Sequence, residues 1–272
     1  MNRAPQANKN LGQHFLINQG VIAKIADAVA RLSPDRAQPV IEIGPGPGAL
    51  TGELLRRGHR VIAVEIDARM REHLSTEFAA FIEAKTFEVW DCDATEESYL
   101  ERVAALGFRD LCVCGNLPYN VGTQILFLLL EKAPWAEGFC FMLQKEVVQR
   151  LEHQSPGSKS YGVTGIKMAW ATQIDGHFWV KPGSFAPPPK VDSGVLWYRR
   201  KHGLSPTTLS PTEDLPAYVR ARDIVDTAFR QRRKMLKKSI PEVPLEYATK
   251  RPDEITPTEF LNLIRTIAPG DR

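Results

Sequence analysis

Four consecutive residues, Asn116-Leu117-Pro118-Tyr119, bring together groups that could act on one flat substrate. The Asn116 carboxamide oxygen is a hydrogen-bond acceptor. The Leu117 carbonyl is a second, held in place because a proline restricts the residue before it and has a fixed φ of its own. Tyr119 supplies a ring on which a base can stack. The exocyclic amine of an adenine would suit such a group. Its lone pair is delocalised into the ring, which makes it a poor nucleophile. Two acceptors aimed at its hydrogens would pull the nitrogen toward a pyramidal geometry and free the lone pair. Alkylation would then need no general base beforehand, and would draw on orientation and electrostatics. Taken alone, the same four residues also describe an ordinary strand-to-helix turn with a buried tyrosine.

A second group lies upstream, in Val40-Ile41-Glu42-Ile43-Gly44-Pro45-Gly46-Pro47-Gly48. Glycines between a strand and a helix let backbone approach a ligand closely. Glu65, at the end of the next strand, could hold the two hydroxyls of a ribose. Gly44-x-Gly46-x-x-Ala49 followed by an acid fits a nicotinamide dinucleotide as well as S-adenosylmethionine. Three details favour the latter. Pro45 and Pro47 remove backbone donors that a pyrophosphate would use. Glu42 adds a second acid, which suits a sulfonium and an ammonium and would repel a pyrophosphate. Asp93, in Asp91-Cys92-Asp93-Ala94 after a third strand, could accept from an adenine amino group.

These residues need strand ends to position them, and the pattern supplies strands. Candidates are Pro39–Gly44, Arg60–Glu65, Lys85–Trp90, Asp110–Gly115, Gly138–Leu143, Gln173–Val180 and Gly194–Arg199. Helix candidates lie between them at Ala49–Arg57, Ala68–Phe78 and Gly122–Lys132, with Gly58 ending the first and Asp67 capping the second. An earlier helix is expected over Gln19–Leu32, where apolar residues recur at three and four, with Asn18 as its cap. The β-α-β alternation argues for an α/β fold built on a mostly parallel, doubly wound sheet. A Pro/Ser/Thr-rich linker follows residue 200, then helical patterning through Val219, Ile224, Val225, Ala228 and Phe229, and a last helix across Thr258–Ile267. Two domains are expected, 1–200 and 201–272.

The 272 residues carry a net charge of +3, but unevenly: −2 over 1–198, +7 over 199–240 and −2 over 241–272. On a helix, Arg230, Arg233, Lys234 and Lys237 would fall in one cationic stripe, with Phe229 and Leu236 toward the core and Arg220 and Arg222 extending it. Such a stripe beside an acidic body is what a polyanion-binding edge looks like, giving affinity and register rather than sequence reading, although a charge run alone equally describes a solvated helix face. The composition is that of a globular protein. No apolar run approaches the ~20 residues of a membrane span, and the polar first residues are not a secretory leader. The four cysteines show no metal spacing, so free thiols in a cytoplasmic setting are expected. Cys112 and Cys114 share a strand face and are expected in the core. The six histidines show no metal or triad context, and no metal is expected.

With these words in order, the chain resembles the KsgA/RsmA-type ribosomal RNA small-subunit adenine dimethyltransferases over nearly its whole length. Leu11-Gly12-Gln13-His14-Phe15-Leu16, Phe141-Met142-Leu143-Gln144-Lys145-Glu146-Val147 and Phe185-Ala186-Pro187-Pro188-Pro189-Lys190-Val191-Asp192-Ser193 carry the likeness further. The resemblance implies a Rossmann-like, seven-stranded class I methyltransferase sheet with a small C-terminal helical domain. It implies S-adenosylmethionine as cofactor, with S-adenosylhomocysteine as product. It assigns cofactor contacts to His14, Leu16, Gly44, Glu65, Asp93 and Asn116, to which the loop reading adds Glu42 and Gly46. It places Phe185 over a flipped base opposite Tyr119. The implied substrate is a pair of adjacent adenines near the 3′ end of 16S rRNA, in the small subunit, with a monomeric enzyme and a role in subunit biogenesis. Two rival readings are a large-subunit (23S) rRNA adenine dimethylase of the macrolide-resistance type and a factor that chiefly binds ribosomes during assembly. A nicotinamide oxidoreductase is a distant third.

Overall fold

The computed structural model describes residues 5–7, 13–205 and 207–267. Leu11 and Gly12 lie outside the described residues. By contact the chain divides into two compact units, Met1–Lys145 with Ile174–Arg199, and Glu146–Gln173 with Arg200–Arg272.

The first elements are β1 (Phe15–Leu16), α1 (Gln19–Leu32), β2 (Pro39–Ile43), α2 (Ala49–Arg56), β3 (Arg60–Glu65), α3 (Ala68–Glu77), α4 (Ala79–Glu83) and β4 (Phe87–Asp91). Next come α5 (Ser98–Ala105), β5 (Leu111–Asn116), α6 (Gly122–Lys132), β6 (Ala136–Gln144), α7 (Lys145–Glu152), α8 (Val163–Ala171), β7 (Thr172–Val180), β8 (Phe185–Ala186) and β9 (Ser193–Arg200). The chain ends with β10 (Leu204–Ser205), β11 (Thr208–Leu209), α9 (Leu215–Arg230), α10 (Leu245–Ala248) and α11 (Pro257–Ile267).

Seven strands form one sheet in the order β4-β3-β2-β5-β6-β9-β7. β4, β3, β2, β5 and β6 run parallel, and β9 runs antiparallel to β6. The order reverses direction between β2 and β5. At such a switch the loops leaving two neighbouring strands part and open a crevice at their carboxyl ends. The central strands are buried on both faces, which is why they read as nearly continuous apolar runs. All five residues of β2 are buried, Glu42 among them. β7 stands at the sheet edge and mixes buried with exposed residues. Cys112, Cys114 and Cys140 are free thiols in the sheet core.

Local chemistry sets the ends of these elements. The Asn18 side chain accepts from Val21 N at 3.1 Å and starts α1, whose Ile22, Ile25, Ala26, Val29 and Leu32 are buried. The Asp67 side chain caps α3. Gly58 takes a φ of 79° in the turn after α2. The third parallel strand starts later than its β-rich pattern suggests. Lys85 sits at φ 57° and closes a turn onto Ile82, so pairing begins only at Phe87. The helices α4, α5, α7 and α8 are short, five to nine residues each, and lie outside the helix candidates that the pattern marks.

The second unit has its own core, with Tyr161, Trp170, Tyr218, Leu236, Phe260 and Leu263 among its buried residues. Its segment Glu146–Gln173 precedes β7, so a single cut at residue 200 would leave α7 and α8 with the sheet. Thr256 and Glu259 form a reciprocal cap at α11: Thr256 N donates to Glu259 at 2.8 Å, and Glu259 N donates to Thr256 Oγ1 at 3.1 Å.

The expected cationic stripe does not form on one helix. α9 ends at Arg230, and Arg233 and Lys234 lie in turns, while Lys237 is in a 3-10 turn over Leu236–Lys238. The four cations therefore do not share one helix face. The helix breaks because Leu236 is drawn into the second core, where its N–H donates to Lys250 O at 2.8 Å. Met235 must turn to an extended φ/ψ of −63° and 146° to allow this. Leu236 toward the core, and Phe229 packed against it, agree with the expectation. Arg220 and Arg222 lie on α9, where Arg222 meets Asp223 at 3.2 Å.

Candidate active site

A cavity of about 290 Å³ opens at the sheet's switch point, within the first unit. Around it stand His14, Leu16, Glu42, Gly44, Gly46, Glu65, Asp93, Asn116, Leu117, Pro118 and Tyr119. Gly44, Gly46, Glu65, Asp93 and Asn116–Tyr119 meet because they end or follow strands at the same edge of the sheet, and His14 and Leu16 reach them from β1 and the residue before it. Phe185 is not among them. It is 3% exposed, packs in the sheet core, and pairs with Leu16 through β8 and β1. Burial of a large ring is worth about 1.5–3 kcal/mol, which favours the core position that Phe185 takes behind Leu16.

The loop after β2 needs its glycines. Gly44, Gly46 and Gly48 have φ of 64°, 55° and 87°, values that other residues rarely adopt. Nothing lies within 4 Å of a Cβ placed on Gly44, so that side of the loop is open for a ligand.

The acids have unequal surroundings. Glu65 is buried, and its two oxygens accept from Gly46 N at 3.2 Å and Asp67 N at 2.9 Å. Burial raises its pKa, opposed by those bonds. Each oxygen keeps a second lone pair for a diol. Asp93 accepts from Thr95 N and Thr95 Oγ1 through one oxygen, leaving the other to a ligand. Glu42 is 1% exposed and accepts from Thr51 Oγ1 at 2.6 Å. Its pKa is pushed up to about 7 by burial, with the Thr51 bond opposing and the Glu65 charge adding.

That shift predicts a pH dependence of folding. In the unfolded chain the Glu42 carboxyl ionises in the ordinary range, while the folded state holds its proton up to about 7. Folding therefore binds a proton in that interval, and stability falls as pH rises through it, by about 3 kcal/mol if Glu42 acts alone. Urea unfolding at pH 5 and pH 8 should show Glu42→Gln gaining on the wild type with pH. An unchanged difference between the two proteins would contradict this. A cation placed beside Glu42 would restore its charged form.

At the far end, Asn116 Nδ2 donates to His14 O at 2.8 Å. A carbonyl can only accept, so the amide nitrogen must face His14 and Oδ1 must face away. The Tyr119 and His14 rings stack, with centroids 5.7 Å apart and 28° between planes. Tyr119 OH lies 2.6 Å from Ser193 Oγ, and His14 Nδ1 lies 2.9 Å from Pro187 O. Gln13 Nε2 donates to Asp67 at 3.2 Å. Residues 13–16 thus cross from the Glu65 end of the cavity to the Asn116 end. Sequence reasoning missed Thr51, Gln13, Thr95 and Ser193, because a lone hydroxyl or amide has no signature until its partner is known. Among the described residues, no group of three or more His, Cys, Asp or Glu is placed to hold a metal ion.

Sheet order and site together define a class I methyltransferase. Residues 4–264 match the model of the ribosomal RNA adenine dimethylase family. The chain belongs to that family. It is 37% identical to a protein of Porphyromonas gingivalis named ribosomal RNA small subunit methyltransferase A, over 95% of this chain and 96% of that one. It is also 37% identical to a Marinobacter nauticus protein of the same name, over 86% and 79%. Among solved structures, a dimethyladenosine transferase from Plasmodium falciparum superposes with a TM-score of 0.71 at 23% identity, over 92% of this chain and 96% of that one. The 23S rRNA methyltransferase ErmE does so at 0.65 and 24%, over 92% and 98%, which speaks to the fold alone.

Proposed function

We propose that this chain transfers methyl groups from S-adenosylmethionine to the N6 amines of two adjacent adenines in small-subunit (16S) rRNA, acting as a cytoplasmic monomer. The observation that carries the reading is the meeting of the glycine loop, Glu65 and Asp93 with Asn116-Leu117-Pro118-Tyr119 around one cavity. The residues fit the cofactor: Gly44 leaves backbone open, Glu65 and Asp93 keep free acceptor positions, and Glu42 favours a cation nearby. When bound, S-adenosylmethionine supplies an electrophilic methyl on a positively charged sulfur.

The protein's own part is orientation and charge. Asn116 Oδ1 and the Leu117 carbonyl accept the two amine hydrogens and raise the nitrogen's nucleophilicity. Tyr119 offers its ring to the base, with its hydroxyl anchored by Ser193. The amine proton is lost after transfer, to solvent. The small-subunit choice over a large-subunit target is supported by the full-length likeness to proteins carrying that name. Purified protein, labelled cofactor and undermethylated small or large subunits test it, with mass spectrometry of the adenines. Dimethyladenine in the small subunit is the expected product. Label only in the large subunit, or in neither, would overturn the proposal.

A further inference from the structure

Outside the cavity, the edge strand β7 presents an aromatic surface that methyl transfer does not use. Trp179 is 39% exposed, whereas Trp90, Trp135 and Trp170 are buried and Trp197 packs against the core. His177 stands beside it, with ring centroids 4.8 Å apart at 49°. Lys145 Nζ lies 5.3 Å from the Trp179 ring centroid. Asp192 accepts from Lys181 at 2.8 Å and lies 3.8 Å from Lys145 Nζ, so one carboxylate faces two ammonium groups. Lys190, two residues away, is exposed.

The surface is tied to the reacting site through consecutive residues. Lys145 N donates to Asp192 O at 3.0 Å. The next residue is Ser193, whose hydroxyl meets that of Tyr119. We infer that Trp179, His177, Lys145 and Lys181 form a stacking platform for an unpaired RNA nucleotide flanking the target base. The indole provides a face that any base can use, and the surplus lysines suit the phosphates on either side. A base flipped onto Tyr119 must leave its strand's stack, which frees its neighbours to be held elsewhere. Charge favours RNA over an apolar protein segment as the occupant. The inference rests on the RNA-directed reading above and adds a subsite to it.

The test uses the full chain and a short single-stranded RNA carrying two adjacent adenines. Since Trp179 is the most exposed tryptophan, its stacking should quench much of the fluorescence that solvent reaches. Trp179→Ala should remove that quenching and weaken RNA binding about tenfold or more, with Trp179→Phe recovering most of the affinity. Lys181→Ala should lower the slope of log affinity against log salt by about 0.7. S-adenosylhomocysteine affinity and the melting temperature serve as folding controls. Unchanged RNA affinity in a Trp179→Ala protein that passes those controls would overturn the platform. So would a loss seen with assembled subunits but not with protein-free RNA, which would point to a ribosomal protein. If the wild type binds RNA and methylates no subunit, the function fails while the platform stands on its binding data.

Discussion

Asn116→Ala should lower the single-turnover rate by about 10²–10³ at saturating RNA and cofactor, the usual loss when one preorganised polar partner of a reacting group is removed. The structure makes this more than deletion of an acceptor. Asn116 Nδ2 is spent on His14 O at 2.8 Å, so Oδ1 is held toward the cavity without reorganisation. Alanine leaves the amine with one acceptor and releases the segment that crosses the site. Asn116→Asp sharpens the test. It keeps an oxygen for the amine but turns the other against the His14 carbonyl, where neither group has a proton to share. Aspartate should therefore stay well below the wild type despite its nearly identical shape. The rates should be read with cofactor affinity measured separately, because Asn116 borders both ligands. A fall of only a few-fold in the alanine variant would mean that the Leu117 carbonyl and stacking on Tyr119 suffice.

The two halves of that argument were unequally visible in the sequence. Asn116 stands at a strand end before a fixed Leu-Pro-Tyr turn, and its type and position already announce an acceptor at a sheet edge. Which way its amide points depends on His14, 102 residues earlier in the chain. No local pattern encodes that contact. Glu42 shows the same limit. Its place before the glycine loop suggests an acid near a cation, but its suppressed ionisation comes from burial in the sheet and the nearby Glu65 charge, against which the hydrogen bond from Thr51 on α2 works. The parallel strands were legible because both-face burial leaves unbroken apolar runs, and α1 because its cap and apolar period agree. The basic stripe misled for a physical reason. Like charges at three and four work slightly against a helix, and burial of Leu236 in the second core breaks it. Phe185 is ambiguous in a similar way, since an aromatic beside a rigid turn serves a core as readily as a pocket, and here it lies in the core.

Gly115→Ala should damage both the fold and the site. Gly115 lies in β5, opposite Ile43 of β2. An added Cβ would sit 2.3 Å from the Ile43 carbonyl oxygen and 3.2 Å from its carbon. Both are backbone atoms, so no rotamer relieves the clash, and the strands must part at their carboxyl ends. Those ends carry Gly44 and Asn116, so the fault falls between the cofactor loop and the reacting turn. Overpacking usually costs 1–3 kcal/mol, and a clash with backbone at the sheet centre should reach or exceed about 3 kcal/mol. Gly58→Ala is the informative contrast. Gly58 has a φ of 79° but nothing within 4 Å of its Cβ position, so that variant bears backbone strain alone. Its cost should be nearer 1 kcal/mol. Denaturant unfolding of the two proteins, with S-adenosylhomocysteine titration of whatever remains folded, separates the cases. Gly115→Ala should lose both stability and ligand affinity, and Gly58→Ala only stability. Equal costs would show that β2 and β5 can separate without disturbing the site, and that the crevice between them does not depend on their close approach.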